Sequence, residues 1–150
     1  MTQDPFPNVL DRTAGPPALL VVSDSYLGPT LLSEIEPQDR MQLVTHDAGI
    51  AARAPDDVGV TVGDVTATDT LEAAADADAA VVSRRTDREA LLVTQLLRTR
   101  FDIGEVLVVL NDPEHRDTLS DVATVIVSGP ETLSTELRRT ISTTTDPHDR

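Results

Sequence analysis

Four short stretches of this chain carry residue types that could hold an anion or a sugar. The first is Ser23-Asp24-Ser25-Tyr26-Leu27-Gly28, which follows the apolar run Leu19-Leu20-Val21-Val22. It has the G-x-G-x-x-G spacing of a phosphate-binding loop, with serine in the first two glycine places and only Gly28 kept. In such a loop the first glycine permits a tight turn and the second lets the backbone approach a pyrophosphate. Serine does part of both jobs, whereas Asp24 puts a negative charge where a phosphate would sit. The helix expected near Pro29 still offers free amides and a positive dipole end, so anion binding is weakened rather than abolished.

The other three stretches are His46-Asp47, Gly63-Asp64 and Ser83 to Thr86. Asp64 could accept a hydrogen bond from an adenine amino group or a ribose hydroxyl. It could equally start an Asx-turn or cap the next connection, a role that Thr66 and Thr68 would also serve. His46 or Asp47 could bond a ribose, or be residues of a surface turn. Arg84 and Arg85 could form bidentate bonds to a phosphate. They could instead neutralise Asp24, or pair with Asp87 or Glu89. His115 reads as a surface residue of a helix turn, and three separated histidines make no metal cluster. Acidic residues are so numerous that no carboxylate dyad is singled out.

The elements that must position these groups are short apolar runs alternating with helix-period stretches. Strands are expected over 18–22, 41–45, 58–62, 79–82, 105–110 and 124–127, most of them near-continuously apolar, as in parallel strands buried on both faces. The clearest helix covers 87–101, with Gly104 closing the connection to the next strand. A last helix begins near Pro130, capped by Ser128 or Gly129, with Leu133, Leu137 and Ile141 on one face. Weaker helices are expected over 29–36, 68–75 and 113–119. Such alternation implies right-handed crossovers and an α/β fold, a doubly wound parallel sheet of six strands in the order 3-2-1-4-5-6. Its ligand crevice would lie at the carboxyl ends of the first four strands, where the four stretches above fall. Residues 1–17 read as a flexible arm, 18–142 as the single domain and 143–150 as a disordered tail.

The composition narrows the class further. The chain has no cysteine, which excludes disulfides and thiolate chemistry. All 12 basic residues are arginine, set against 26 acidic ones, for a net charge of −14. An evenly acidic, lysine-free surface suits multimolar salt, the condition of a haloarchaeal cytoplasm, where the Debye length falls to about 3 Å. It disfavours nucleic acid and anionic membrane as partners. No apolar run reaches the roughly 18 residues that span a bilayer, and the N-terminus lacks a signal peptide's basic start, so a cytoplasmic protein is expected. Without lysine there is no Walker-A loop, Schiff base or lysine-bearing phosphoreceiver site. There is no G-x-S-x-G nucleophile elbow either.

The stretch 60–141 resembles the TrkA-N or RCK domain, the Rossmann-type regulatory module of potassium channels and transporters. The matching residues are Val62-Gly63-Asp64-Val65-Thr66, the run from Ala73 to Val82, Asp87-Arg88-Glu89-Ala90-Leu91-Leu92, Asn111-Asp112-Pro113-Glu114-His115, and Val125-Ile126-Val127-Ser128-Gly129-Pro130-Glu131. The resemblance extends over roughly 18–142. It implies NAD(H) or ATP/ADP as ligand, a homodimer, and a membrane potassium transporter or channel subunit as partner. It also implies cofactor-binding roles for Ser23, Asp24, Ser25, Gly28, His46, Asp47, Gly63, Asp64, Arg84 and Arg85. The departures cluster at the family's ligand site. The glycine loop is altered, His46 stands where an acidic residue holds the ribose, and Leu91 replaces an asparagine. Gly63-Asp64, whose aspartate reads the adenine side, survives. The function implied is a non-enzymatic nucleotide sensor with a degraded loop. Two alternatives stand beside it: a ligand-free interaction module, and an NAD(P)-dependent oxidoreductase.

Overall fold

Runs of valine, leucine and alanine, two-faced and too short for helices, pair side by side into one parallel sheet. In the computed structural model, which describes residues 18–35 and 40–144, the strands are β1 (Leu19–Ser23), β2 (Met41–Thr45), β3 (Gly59–Val62), β4 (Ala79–Ser83), β5 (Glu105–Leu110) and β6 (Val125–Ser128). Their order is β3-β2-β1-β4-β5-β6, every pair parallel. The expected doubly wound sheet is therefore present.

Between the strands run α1 (Leu27–Glu34), a short α2 (Ala48–Ala51), a 3-10 turn (Thr70–Asp76), α3 (Asp87–Thr99), a second 3-10 turn (Pro113–His115) leading into α4 (Arg116–Ser120), and α5 (Gly129–Thr144). Successive strand residues point to opposite faces, so the core is split in two. On one face Leu20, Val22, Ala80, Val82, Val106 and Val108 pack with Ala90, Val93 and Leu97 of α3 and Leu119 of α4. On the other, Leu19, Val21, Leu43, Val81 and Leu107 pack with Leu32 of α1.

Three local features differ from expectation. The stretch 68–75 forms a 3-10 turn rather than an α-helix. α2 was not expected; Asp47 nucleates it by accepting hydrogen bonds from the amides of Gly49 (2.7 Å) and Ile50 (3.3 Å). At the end of α3 the left-handed residue is Asp102, with φ 52°, and not Gly104. The amide of Ile103 then bonds back to the carbonyl of Leu97 at 3.1 Å, closing the helix. Gly104 serves instead through its carbonyl, which accepts from Arg98 Nη1 at 2.7 Å.

α5 reaches Thr144 and carries its apolar stripe outward: Leu133, Leu137 and Ile141 are 69%, 56% and 51% exposed. Among the described residues no helix is long and apolar enough to cross a membrane. The arm read over 1–17 lies outside the described residues; of the tail read over 143–150, Thr143 and Thr144 continue α5 instead, and 145–150 lie outside the described residues.

Candidate functional site

Strand register brings the candidate stretches together. Ser23 pairs with Ser83, so the residues that follow, Asp24 on one side and Arg84 and Arg85 on the other, face each other where the strand order reverses. Val44 and Thr45 pair with Thr61 and Val62, which aligns His46 with Gly63.

The loop after β1 is tied to itself. Ser23 Oγ accepts from the amide of Ser25 at 3.2 Å and donates to the Ser25 carbonyl at 3.1 Å. Ser25 Oγ accepts from the amide of Leu27 at 3.3 Å. Gly28 is required by space, not by torsion: a Cβ there would lie 2.6 Å from Ser23 Cβ and 2.9 Å from Ser23 Oγ. No described glycine has a positive φ. The third glycine of the motif thus keeps its helix–strand packing role even though the first two are gone.

Asp24 is 2% exposed, and Arg84, 7% exposed, lies against it. Arg84 Nη1 is 3.8 Å from Asp24 Oδ2, and Nη2 is 3.1 Å from Glu89 Oε2. Nη1 also lies 3.4 Å from His46 Nδ1, which must accept because a guanidinium only donates. The Nε of Arg84 is buried without a hydrogen-bond partner among the described residues. Arg85 contributes differently: its backbone amide donates to Asp24 Oδ2 at 3.0 Å, while its side chain is 72% exposed with Nε at 3.9 Å. Both arginines therefore offset Asp24, one by its side chain and one chiefly by its backbone. Thr86 ends the segment by capping α3, accepting from the amide of Glu89 at 3.2 Å.

Asp64 forms an Asx-turn, with Oδ1 accepting from the amide (2.9 Å) and the hydroxyl (2.6 Å) of Thr66. The hydroxyl bond first, then the amide, holds its carboxyl below the ordinary value of 3.8. Asp64 is therefore ionised at neutral pH.

Around these groups is an open crevice of about 680 Å³. Of the sequence-selected residues, Asp24, His46, Gly63, Asp64, Arg84 and Arg85 line it. Ser23, Ser25 and Gly28 are not in its wall, being engaged in the loop and its packing, and Asp47 is turned to capping α2. Thr86, at the end of the selected stretch Ser83 to Thr86, lines it too, and Val65, Thr66 and Glu89 join the wall without having been given a ligand-binding role. The two threonines had a sequence signal, since hydroxyl residues recur just past strand ends where turns and caps form. Val65 had none. The wall mixes fixed carboxylates with one buried and one exposed guanidinium, so it can bind hydroxyls and amines through Asp64 and orient a polar ring.

A second polar cluster lies behind the crevice. Asp87, 6% exposed, accepts at Oδ1 from the amide (2.8 Å) and side chain (3.1 Å) of Asn111, and at Oδ2 from the Asp112 amide (2.8 Å) and His115 Nδ1 (2.8 Å). The same Asn111 Nδ2 donates to the Arg84 carbonyl at 2.7 Å. His115 is thus not a plain surface residue, although its side chain is 52% exposed.

Comparison with known proteins identifies the fold and the family. The sequence profile of the TrkA-N domain matches residues 21–129. No curated protein sequence matches significantly. Among solved structures, the TrkA-N domain of the inner membrane protein YbaL from Escherichia coli superposes with a TM-score of 0.64 at 14% identity, covering 89% of this chain and 100% of that one. A GsuK channel bound to NAD and GsuK bound to ADP each give a TM-score of 0.62 at 20% identity over 78% of this chain. This chain spans only 22% and 32% of those two GsuK chains.

Proposed function

The chain belongs to the TrkA-N domain family, and from that premise and the chemistry of its crevice we propose that it is a non-enzymatic nucleotide-sensing domain that regulates potassium transport. The observation that carries this reading is the 680 Å³ crevice at the switch point, with Gly63-Asp64 at its rim and His46 and Arg84 in its wall. Related folds have been solved with NAD and with ADP, which supports an adenine-bearing ligand here. Asp64 would accept from the adenine amino group or a ribose hydroxyl, and His46 would face the ribose. The domain would work as a homodimer in a salt-rich cytoplasm beside a membrane potassium transporter or channel subunit. Ligand would shift the balance between two dimer arrangements by its differential affinity for them.

The test is a thermal-shift titration in multimolar KCl with NAD, NADH, ATP, ADP, AMP and adenosine. A ligand at 100 times its dissociation constant adds about 2.7 kcal/mol of stability, well within detection for a domain this size. A shift that Asp64→Ala removes supports the sensor. No shift with any compound sinks it and leaves the second reading, a ligand-free interaction module. The self-bonded loop after β1 favours that alternative.

A further inference from the structure

Ser23, Asp24 and Ser25, the first three residues of the altered glycine loop, share one geometric property: each supplies a side-chain acceptor to a backbone amide just past the end of β1 or β4. Ser23 Oγ takes the amide of Ser25, Ser25 Oγ takes that of Leu27, and Asp24 Oδ2 takes that of Arg85. In an open α/β sheet these amides, at the β1 turn and at the switch point, are the ones that hold a phosphate chain. Asp24 goes further, since its buried carboxylate also draws the Arg84 guanidinium, which is shared with Glu89. The main-chain donors are committed to internal acceptors, and two of the three guanidinium nitrogens of the buried Arg84 face internal carboxylates.

The crevice wall leaves out the β1 turn in the same sense. Its wall runs from Asp64, Thr66 and His46 on the β2–β3 side to Asp24, Arg84 and Glu89 at the switch point, and contains none of Ser25, Tyr26, Leu27 or Gly28 of the β1 turn. A diphosphate entering there would meet three carboxylates, Asp24, Glu89 and Asp64, against two guanidiniums, Arg84 and Arg85, and one uncompensated like charge at a few ångströms in a part-buried site amounts to about a tenfold effect.

We infer that Ser23, Asp24 and Ser25 form a built-in substitute for the phosphate, so that the crevice takes a nucleoside, base and ribose, rather than a dinucleotide or nucleoside diphosphate. This rests on the sensing function proposed above and specifies which part of the ligand is read. The base and the diol lie toward Asp64 and His46, and the amides of the β1 turn stay closed off behind Asp24. A monophosphate is tolerated only where it points outward to the exposed Arg85 side chain.

The experiment is calorimetric titration of the full chain in multimolar KCl with adenosine, AMP, ADP and NAD, repeated on Asp24→Asn and Ser25→Gly. Asp24→Asn keeps an acceptor for the Arg85 amide while removing the charge, and Ser25→Gly frees the Leu27 amide. The native chain is expected to bind adenosine at least as tightly as ADP or NAD. Each variant is expected to move the ADP-to-adenosine affinity ratio about tenfold toward ADP. The native ranking decides even if a variant fails to fold. ADP or NAD binding about tenfold more tightly than adenosine would overturn this inference and leave the sensing function standing. An unchanged ratio in both folded variants overturns the loop's role. Binding of none of the four compounds, to native chain or variants, removes the sensing function and this inference with it.

Discussion

His115 Nδ1 lies 2.8 Å from Asp87 Oδ2, joining the turn after β5 to the first residue of α3 across 28 positions of sequence. The bond to Asp87 is the main cause that raises the His115 pKa above its ordinary 6.5, with Asp112 and Glu114 adding to it against partial burial. Burial alone would push the Asp87 carboxyl up, but the bonds from Asn111, His115 and Asp112 outweigh it and leave Asp87 below 3.8. The raised histidine stabilises the fold fully below pH 6.5 and loses that contribution as pH rises through its folded value. The lowered aspartate contributes above pH 3.8 and loses its share as pH falls through its own folded value. The pair is therefore at full strength between 3.8 and 6.5. Denaturant unfolding of the native chain and His115→Phe across pH should give a difference that is largest in this window and shrinks on the alkaline side. A difference flat in pH would dismiss the pair as a stabilising contact.

Arg84→Met strips the buried Asp24 of its guanidinium, leaving only the Arg85 amide and a distant Nε. Removing one partner of a buried ion pair costs about 3–5 kcal/mol. The midpoint of denaturation should drop accordingly, with little dependence on KCl because both groups are out of solvent. Adding Asp24→Asn to the same chain should recover part of the loss. If the double variant is as unstable as the sum of the single ones, the two side chains are not coupled.

Gly28→Ala forces a methyl to within 2.6 Å of Ser23 Cβ and 3.3 Å of Leu43 Cδ1. Overpacking of this kind costs about 1–3 kcal/mol. Combining it with Ser23→Gly removes the opposing atoms and should restore some of the stability, which a double-mutant cycle would read directly. Gly104→Ala is the control: a Cβ there meets nothing within 4 Å, so the exchange should be neutral or stabilise by about 0.4–1 kcal/mol.

The outward stripe of α5 bears on the proposed homodimer. Leu133→Glu with Leu137→Glu places two charges on positions 69% and 56% exposed. The substitutions should leave the monomer's melting behaviour within about 0.5 kcal/mol, yet convert a dimer to a monomer in light scattering after size exclusion. A dimer that persists would show that these residues do not carry the interface.

The sheet was legible because six apolar runs are separated by polar, helix-period stretches, and a parallel sheet buried on both faces leaves just that trace. Its strands run one residue further than the apolar runs at Ser23, Ser83 and Ser128, since ladder bonding does not stop where hydrophobicity does. α2 escaped notice because Ala48–Ala51 is too short to show a period, although Asp47 ahead of it was a cap in plain view. Topology located the crevice. It could not distinguish Arg84 from Arg85, two identical neighbours of which one is buried and the other points to solvent. Nor could local pattern join Asp87 to His115, a contact that exists only once β4 and β5 lie side by side.

Asn111 has one side-chain nitrogen and two debts to it, the carbonyl of Arg84 at 2.7 Å and the carboxylate of Asp87 at 3.1 Å. That makes it a strut between the floor of the crevice and the turn that bears His115. A guest that shifts the Arg84 backbone must either stretch this strut or drag Asp87 with it. Occupancy of the crevice beyond β4 and protonation of His115 beyond the neighbouring β5 would then be read through a single amide group.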